Sequence, residues 1–500
     1  MLRRQGGSIP DLLVQCPVCR RPRPIRTEHT YDMVRPVLNN RHCRMQTSRY
    51  RQKITRRAFV STMAASPLLL NGESRDEWIE LFDGHSLEGW KPSEHKSSWT
   101  VTNGMLTANG ARSHLFYTGP VHGADFKNFE LEVELITQPD CNSGVYFHTT
   151  YQESGFPEKG FEVQVNNTAH GDRGYLERKK TGSLYGLRNM YKQLVADEKP
   201  FRMAVAVRGK NVQIHLNGEL LVDYIEPTPP VIPADGEKYR FLDRGTFALQ
   251  CHNEGSKVAY KSVRVRLLPE DLPAYRGPAP VVDETYREII NIGRHNLPMV
   301  DFHVYLRPGL SLEEALRKSR KDGLQYGITA EASTLTNDNA VDQWLAPKAR
   351  QPVFFALAAD KSTWAEKLSQ SAARKFDYVI ADVHGASMDT VLMRLQREPI
   401  DILSGLGPVP KERERDLLSV LAKNEVAVEL NSVRRMPSKK FVLQAKDAGC
   451  KFSFGTANAS AAELKRCEYG LQTLETCKLD WRNFFTPGGW SPKAVDRRWS

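Results

Sequence analysis

Cysteine is scarce and poorly placed for a structural role. The eight in 500 residues, at 16, 19, 43, 141, 251, 450, 467 and 477, lack the dense, even spacing of a disulfide scaffold. Cys16-Pro17-Val18-Cys19 is a CxxC, but no second pair follows, and Cys43 alone does not complete a zinc site. Long apolar runs are missing too: residues 58–70 come nearest and are too short to span a bilayer. Excess charge is missing from most of the chain. Fourteen Lys or Arg against three Asp or Glu before residue 61 account for the whole net charge of +11, so the remainder is neutral. This argues against a nucleic-acid partner and for a basic leader. What remains is a globular composition, 40% hydrophobic with 8 Trp, 17 Tyr and 20 Phe, on a chain too long for one core.

The leader has its own grammar. "TRRAFVSTMAASPLLLNG" sets Arg56-Arg57 before an apolar stretch of signal-like length and resembles a twin-arginine export signal. Met45 starts a plausible shorter leader, so residues 1–44 read as a basic extension from a mis-assigned start and 45–76 as the signal. The expectation is a periplasmic or extracellular protein with no stable membrane insertion once the signal is cleaved.

From 78 to 268 the chain alternates with period two. In "FELEVELIT" (129–137) Phe129, Leu131, Val133 and Leu135 share one face and three Glu the other. Asn217-Gly218 marks a hairpin. Many short strands without a helical pattern predict an all-β jelly-roll sandwich. Residues 269–295, Pro-rich at their start, read as a linker. From 296 to 480 strand-like runs alternate with helices, seven βα repeats that predict a (β/α)7 TIM-like barrel, with 481–500 as a tail. Ser311 with Glu314 caps its first helix and Gly323 closes it.

Period two also sorts the polar residues of the sandwich. On "GFEVQVNN" Glu162, Gln164 and Asn166 oppose the core positions; on "SGVYFHT" Tyr146 and His148 do; on "TFALQCH" Gln250 and His252 do. Planar hydrogen-bonding groups beside aromatics suit a sugar. The predicted arrangement is one face holding all of them.

The ordered run "LFDGHSLEGW", "NSGVYFH", "GFEVQVNN", "TGSLYGL", "VQIHLNGELLVDY" and "GTFALQCHNEG" resembles the 3-keto-disaccharide hydrolase family, a concanavalin-like sandwich. The resemblance implies hydrolase or lyase chemistry on 3-keto-glycosides: loss of the C2 proton, then of the C1 group. It implies Glu162 and His252 as catalytic residues, with Tyr146, His148, Gln164, Asn166, Tyr185 and Gln250 binding substrate. Cys251 stands where the family has Asp, and His148 where it often has Arg.

The opening barrel strand, "VDFHVYL", together with "VELNS" and "AGCKFSFGTANAS", resembles the polymerase and histidinol phosphatase (PHP) superfamily, whose strand ends gather two or three metals. Here the HxH is His303-Val304-Tyr305 and the closing GSDAH is Gly455-Thr456-Ala457-Asn458-Ala459. His303 and Glu429 remain, and Glu331 and His384, with Asp301 and Asp382, are the other residues able to join a single-metal site. No cofactor is assigned, and a divalent metal is the one candidate. The alternatives to a sugar-processing enzyme are a non-catalytic carbohydrate-binding protein and a metal-dependent phosphoesterase working in the barrel.

Overall fold

A computed structural model of the chain describes residues 77–168, 176–232, 240–272, 279–348, 351–359, 368–464 and 467–487. The expected leader and signal lie outside the described residues, as does the end of the expected tail. Among the described residues no helix is long and apolar enough to cross a membrane.

Thirteen strands make the first half: β1 Ile79–Glu80, β2 Trp90–Pro92, β3 Trp99–Thr102, β4 Met105–Asn109, β5 Ser113–Tyr117, β6 Phe129–Thr137, β7 Ser143–Thr149, β8 Phe161–Val165, β9 Phe201–Arg208, β10 Asn211–Leu216, β11 Glu219–Ile225, β12 Thr246–Cys251 and β13 Lys257–Leu267. They form two antiparallel sheets. One runs β11-β10-β9-β6-β13-β4-β3 with β1 beside β13; the other runs β2-β5-β12-β7-β8. The alternation of β6 is realised, with Phe129, Leu131, Val133 and Leu135 buried and its three Glu half-exposed. Those Glu pair across strands with Arg208, Arg264, Arg266 and Lys261, so the outer face of that sheet is a solvated charge ladder. Asn217 (φ 50°) and Gly218 (φ 85°) supply the left-handed pair that closes the β10–β11 hairpin.

The second half is a closed parallel barrel of seven strands: β14 Val300–Val304, β15 Gln325–Glu331, β16 Phe354–Ala359, β17 Tyr378–Asp382, β18 Ile402–Ser404, β19 Ala427–Asn431 and β20 Lys451–Gly455. Its core includes Val353, Phe355, Val379, Ile402 and Val428, all buried. The first helix between strands, Leu312–Asp322, starts where Ser311 accepts the Glu314 N–H and ends at Gly323 (φ 77°).

Two boundaries differ from the sequence reading. The stretch expected to be linker contains a helix, α1 (Glu284–Arg294), capped by Asp283. Its Tyr286 and Ile290 pack into the sandwich core while Ile289 and Ile292 pack into the barrel core. The expected tail also begins inside the barrel: Phe484 pairs with Phe452 and stacks on Phe454.

The halves are therefore welded rather than tethered, within one compact unit. The sandwich loop around Arg178–Lys192 sits on the barrel's N-terminal strand ends. Tyr191 takes the Gln325 side chain on its N–H (2.8 Å) and gives its hydroxyl to Leu297 O (2.8 Å). Lys192 reaches Asp377 (2.8 Å) and Val353 O (3.0 Å). Arg178 donates to Phe484 O (3.0 Å) and Thr486 (2.6 Å). The C-terminal strand ends, where barrels of this kind carry their chemistry, point away from this contact.

Candidate functional site

The five-stranded sheet builds a polar face through its register. Tyr146 on β7 stands opposite Glu162 on β8 and opposite Ala248 on β12. Gln250 on β12 stands opposite His114 on β5. Directly opposed residues share a face, and so do residues two apart, so Tyr146, Glu162, Gln164, Gln250 and His114 lie on one side. Val145, Val163, Leu249 and Leu115 point the other way, into the core.

Glu162 is the centre of this face. It is 6% exposed. Burial pushes its carboxyl up to about 7, against the opposing pull of Arg240 and of a hydrogen bond from Tyr146. Gly144 makes the room: a Cβ there would overlap the Glu162 carboxylate. The Tyr146 hydroxyl also accepts from Gln250 Nε2 (3.0 Å), and Gln164 donates to Asn142 Oδ1 (2.7 Å).

Residues 181–185 extend the sheet along β8. Gly182 N donates to Gln164 O (3.0 Å) and Tyr185 N to Glu162 O (3.0 Å). Asn166 anchors the approach to this segment by donating to Glu177 O (3.0 Å) and Lys179 O (2.9 Å), which makes it a loop anchor. The segment brings in a buried ion pair: Lys179 Nζ lies 3.5 Å from Glu177 Oε1 and 3.4 Å from the Tyr185 hydroxyl, which donates to Glu177 Oε2 (3.2 Å). Burial lowers the Lys179 ammonium pKa, and the Glu177 carboxylate opposes that shift. Arg240 holds Tyr185 O at 3.0 Å.

His252 lies beyond the end of β12, half-buried, with its ring 5.4 Å from Phe156 and Nδ1 2.9 Å from Asn253 Oδ1. His148 does not join the face. Its backbone is left-handed (φ 56°), the β7–β12 register shifts between Thr246 and Ala248, and the bare Gly160 and Gly245 press against its backbone. The ring packs 5.7 Å from Phe129, accepts from Asp243 N (3.3 Å) at Nδ1 and meets Lys127 O (3.0 Å) through Nε2. Burial drops its pKa to about 4. The expectation that His148 projects from this face is thus corrected: its ring packs at the strand end instead.

Sequence reasoning missed His114, Asn142, Glu177, Lys179 and Arg240. "ERKK" before "TGSLYG" looks like a solvated charge run, and only its burial reveals it. His114 carries no mark beyond alternation on a short strand.

At the barrel's C-terminal end the candidate metal ligands pair with protein groups. His303 Nδ1 lies 2.8 Å from Glu429 Oε2, and Nε2 lies 3.0 Å from the Tyr305 hydroxyl. Ser404 (2.8 Å) and Asn431 (2.7 Å) donate to Glu429 Oε1. Arg307 binds Glu331 (3.0 Å), and Arg434 spans both oxygens of Asp382 (3.1 and 3.0 Å). Asp301 accepts from Thr456 Oγ1 (2.7 Å), and burial raises its pKa to about 6. The His384 backbone N–H caps Asp382 while its side chain is exposed. The structure thus joins His303 to Glu429 and ties Glu331 and Asp382 to guanidinium groups. Among the described residues no three His, Cys, Asp or Glu side chains gather as a metal site, in either half.

Comparison with known proteins points to the same half as the site. Over 79 residues the chain is 32% identical to a 3-keto-disaccharide hydrolase of Bacteroides thetaiotaomicron, a match covering 14% of this chain and 27% of that protein. The chain thus spans about a quarter of that curated relative's length. Among solved structures it resembles a candidate glycosyl hydrolase from Parabacteroides distasonis ATCC 8503, at 21% identity and TM-score 0.32, over 40% of this chain and 99% of that one. It also resembles a Bacillus subtilis protein of unknown function with a galectin-like fold, at 12% identity and TM-score 0.27, over 38% of this chain and 95% of that one. Residues 77–266, the sandwich with the Glu162 face, match the family model of the 3-keto-alpha-glucoside-1,2-lyase-like domain.

Proposed function

We propose that the sandwich cleaves 3-keto-glycosides, with Glu162 as the base. The observation that carries this reading is a buried carboxyl, its pKa raised to about 7, sharing one sheet face with Tyr146, Gln164 and Gln250. A ketone at C3 acidifies the C2 hydrogen. A carboxylate poised near neutrality takes that proton, and the electrons move to the C3 oxygen as an enolate. The enolate collapses with loss of the C1–O bond, and the departing oxygen takes a proton from His252. Addition of water across C1=C2 then returns a 3-keto sugar, so that elimination and hydration sum to hydrolysis. Tyr146, Gln164 and Tyr185 orient the sugar. The barrel is a supporting domain descended from a PHP-type barrel, and the sandwich is of the concanavalin type.

The test is incubation of the full chain with methyl 3-keto-α-glucoside, with chelator and with added divalent metal, reading methanol release. Turnover by the natural protein and its loss in Glu162→Gln support the reading; no turnover under any condition sinks it. We place this activity outside the cytoplasm, on the strength of Arg56-Arg57 and the apolar stretch after them. Changing both arginines to lysine should hold the precursor in the cytoplasm, and undiminished export would refute the pathway.

A further inference from the structure

Buried polar groups are nearly always paired. His114 and Gln250 break that rule side by side. They are opposed on β5 and β12, 0% and 1% exposed. Neither ring nitrogen of His114, nor Gln250 Oε1, has a hydrogen-bond partner among the described residues. Each such orphan costs about 1–3 kcal/mol. The His114 ring is enclosed by aromatic neighbours: Tyr146 at 5.6 Å, Phe156 at 5.7 Å and Phe116 at 6.4 Å. Tyr146 and Phe116 belong to the sheet. Phe156 comes from the loop between β7 and β8, is 44% exposed, and also lies against His252 and beneath Arg112. It is the part of the enclosure with solvent to swing into.

We propose that His114, Gln250 and Tyr146 form a subsite beneath Phe156 that binds adjacent hydroxyls of a neutral sugar. This deepens, and rests on, the reading of this face as the sugar site. The chemistry follows from the donor inventory. Burial keeps the imidazole neutral, so it offers one N–H and one lone pair. Gln250 gives one Nε2 hydrogen to Tyr146 and keeps the second, with Oε1 as an acceptor. The pair thus presents two donors and two acceptors with no net charge. Two neighbouring hydroxyls supply the matching donors and acceptors. A carboxylate or a phosphate dianion supplies acceptors alone and sets negative oxygens against two lone pairs that it cannot satisfy. The subsite therefore selects a neutral sugar over a uronate or a sugar phosphate. Phe156, displaced outward, offers its ring to the C–H face of the same sugar.

The test uses the full chain in a Glu162→Gln background, so that ligand is not consumed. Calorimetric titration with methyl 3-keto-α-glucoside should show binding, with the corresponding uronate at least about tenfold weaker. His114→Phe should weaken the neutral ligand on the order of 10- to 100-fold, while His114→Gln, which keeps a donor and an acceptor, retains most of the affinity. Phe156→Ala should expose His114 to carbethoxylation by diethyl pyrocarbonate, and the neutral ligand should protect it. Unchanged affinity in His114→Phe, equal affinity for the uronate, or modification of His114 unaffected by ligand overturns the proposal. Should His114→Phe fail to fold, His114→Gln and the protection experiment decide. Binding with these dependencies but no turnover by the natural protein removes the catalytic reading and leaves the subsite standing; turnover with His114→Phe binding unchanged does the reverse.

Discussion

Glu162 in the sandwich and Asp382 in the barrel are both partly or wholly buried carboxyls near strand ends, yet their surroundings drive them in opposite directions. Burial dominates at Glu162 and lifts it to about 7, because Arg240 acts at a distance and Tyr146 offers one hydrogen bond. Burial also raises Asp382, but the His384 N–H and the two-point contact of Arg434 outweigh it and the net shift is downward. The same contrast holds for the histidines. His114 is buried neutral, its ring nitrogens without a hydrogen-bond partner among the described residues, whereas the Glu429 carboxylate outweighs burial at His303 and raises its pKa. A carboxyl left near neutrality can exchange a proton; one locked to a guanidinium holds a fold together. The two polar regions share an alphabet and differ in whether its letters are already paired.

The sharpest way to break this contrast is to neutralise Glu162. Glu162→Gln should lower kcat for a 3-keto-glucoside by roughly 10²–10⁴-fold without lowering Tm at neutral pH, since the amide fits the same buried space without a charge. Gly144→Ala, which drives a methyl into the carboxylate, should also lower kcat, and a Gly144→Ala enzyme with full activity would show that the position of Glu162 is irrelevant.

His303→Ala should act on stability. It strips Glu429 Oε2 of its imidazole in a fully buried setting, and thermal or urea unfolding should show a loss of about 3 kcal/mol, with turnover by the sandwich unchanged.

Proton linkage sets the two carboxyls at opposite ends of the pH scale. Glu162 is raised in the folded state, so its contribution, on the order of 3 kcal/mol, is complete below the unfolded value near 4.5 and is lost as pH rises through about 7. Activity should rise over that same upper interval as the base form appears, and Glu162→Gln should flatten the change in stability. Asp382 is lowered, so its contribution is present above 3.8 and is lost as pH falls through its depressed folded value. Melting curves from pH 3 to 9 for Glu162→Gln and Asp382→Asn separate the two.

The smallest expected effect is the coupling between Asp382 and Arg434. A double-mutant cycle with Asp382→Asn and Arg434→Met should give about 1 kcal/mol, because the pair is a quarter exposed and solvent screens it. A coupling near zero would remove the view that guanidinium groups structure the barrel mouth.

Much of this contrast was legible in the chain. Alternation on "GFEVQVNN" and "TFALQC" put Glu162, Gln164 and Gln250 on one face, because side-chain direction in a regular strand depends on parity alone. Parity failed at His148, where a bulge and a left-handed residue turn the strand end. It was silent on Glu177 and Lys179, because four consecutive charges normally face water. The departures from the PHP pattern at Tyr305, Ala457 and Ala459 could be read from spacing, but the arginines that pair with Glu331 and Asp382 are 24 and 52 residues away from them in sequence.

By itself the sequence determined the two kinds of layer, since periods of two and of strand-plus-helix are local properties of the backbone. It determined the face on which Glu162 lies, since that residue sits in a regular strand. Only the tertiary structure decided that α1 wedges into both cores and welds the halves, that Glu162 is raised while Asp382 is lowered, and that the His114 ring beside Phe156 finds no hydrogen-bond partner among the described residues. These depend on which groups from distant segments exclude water from one another, and electrostatic and packing energies follow distance in space rather than along the chain.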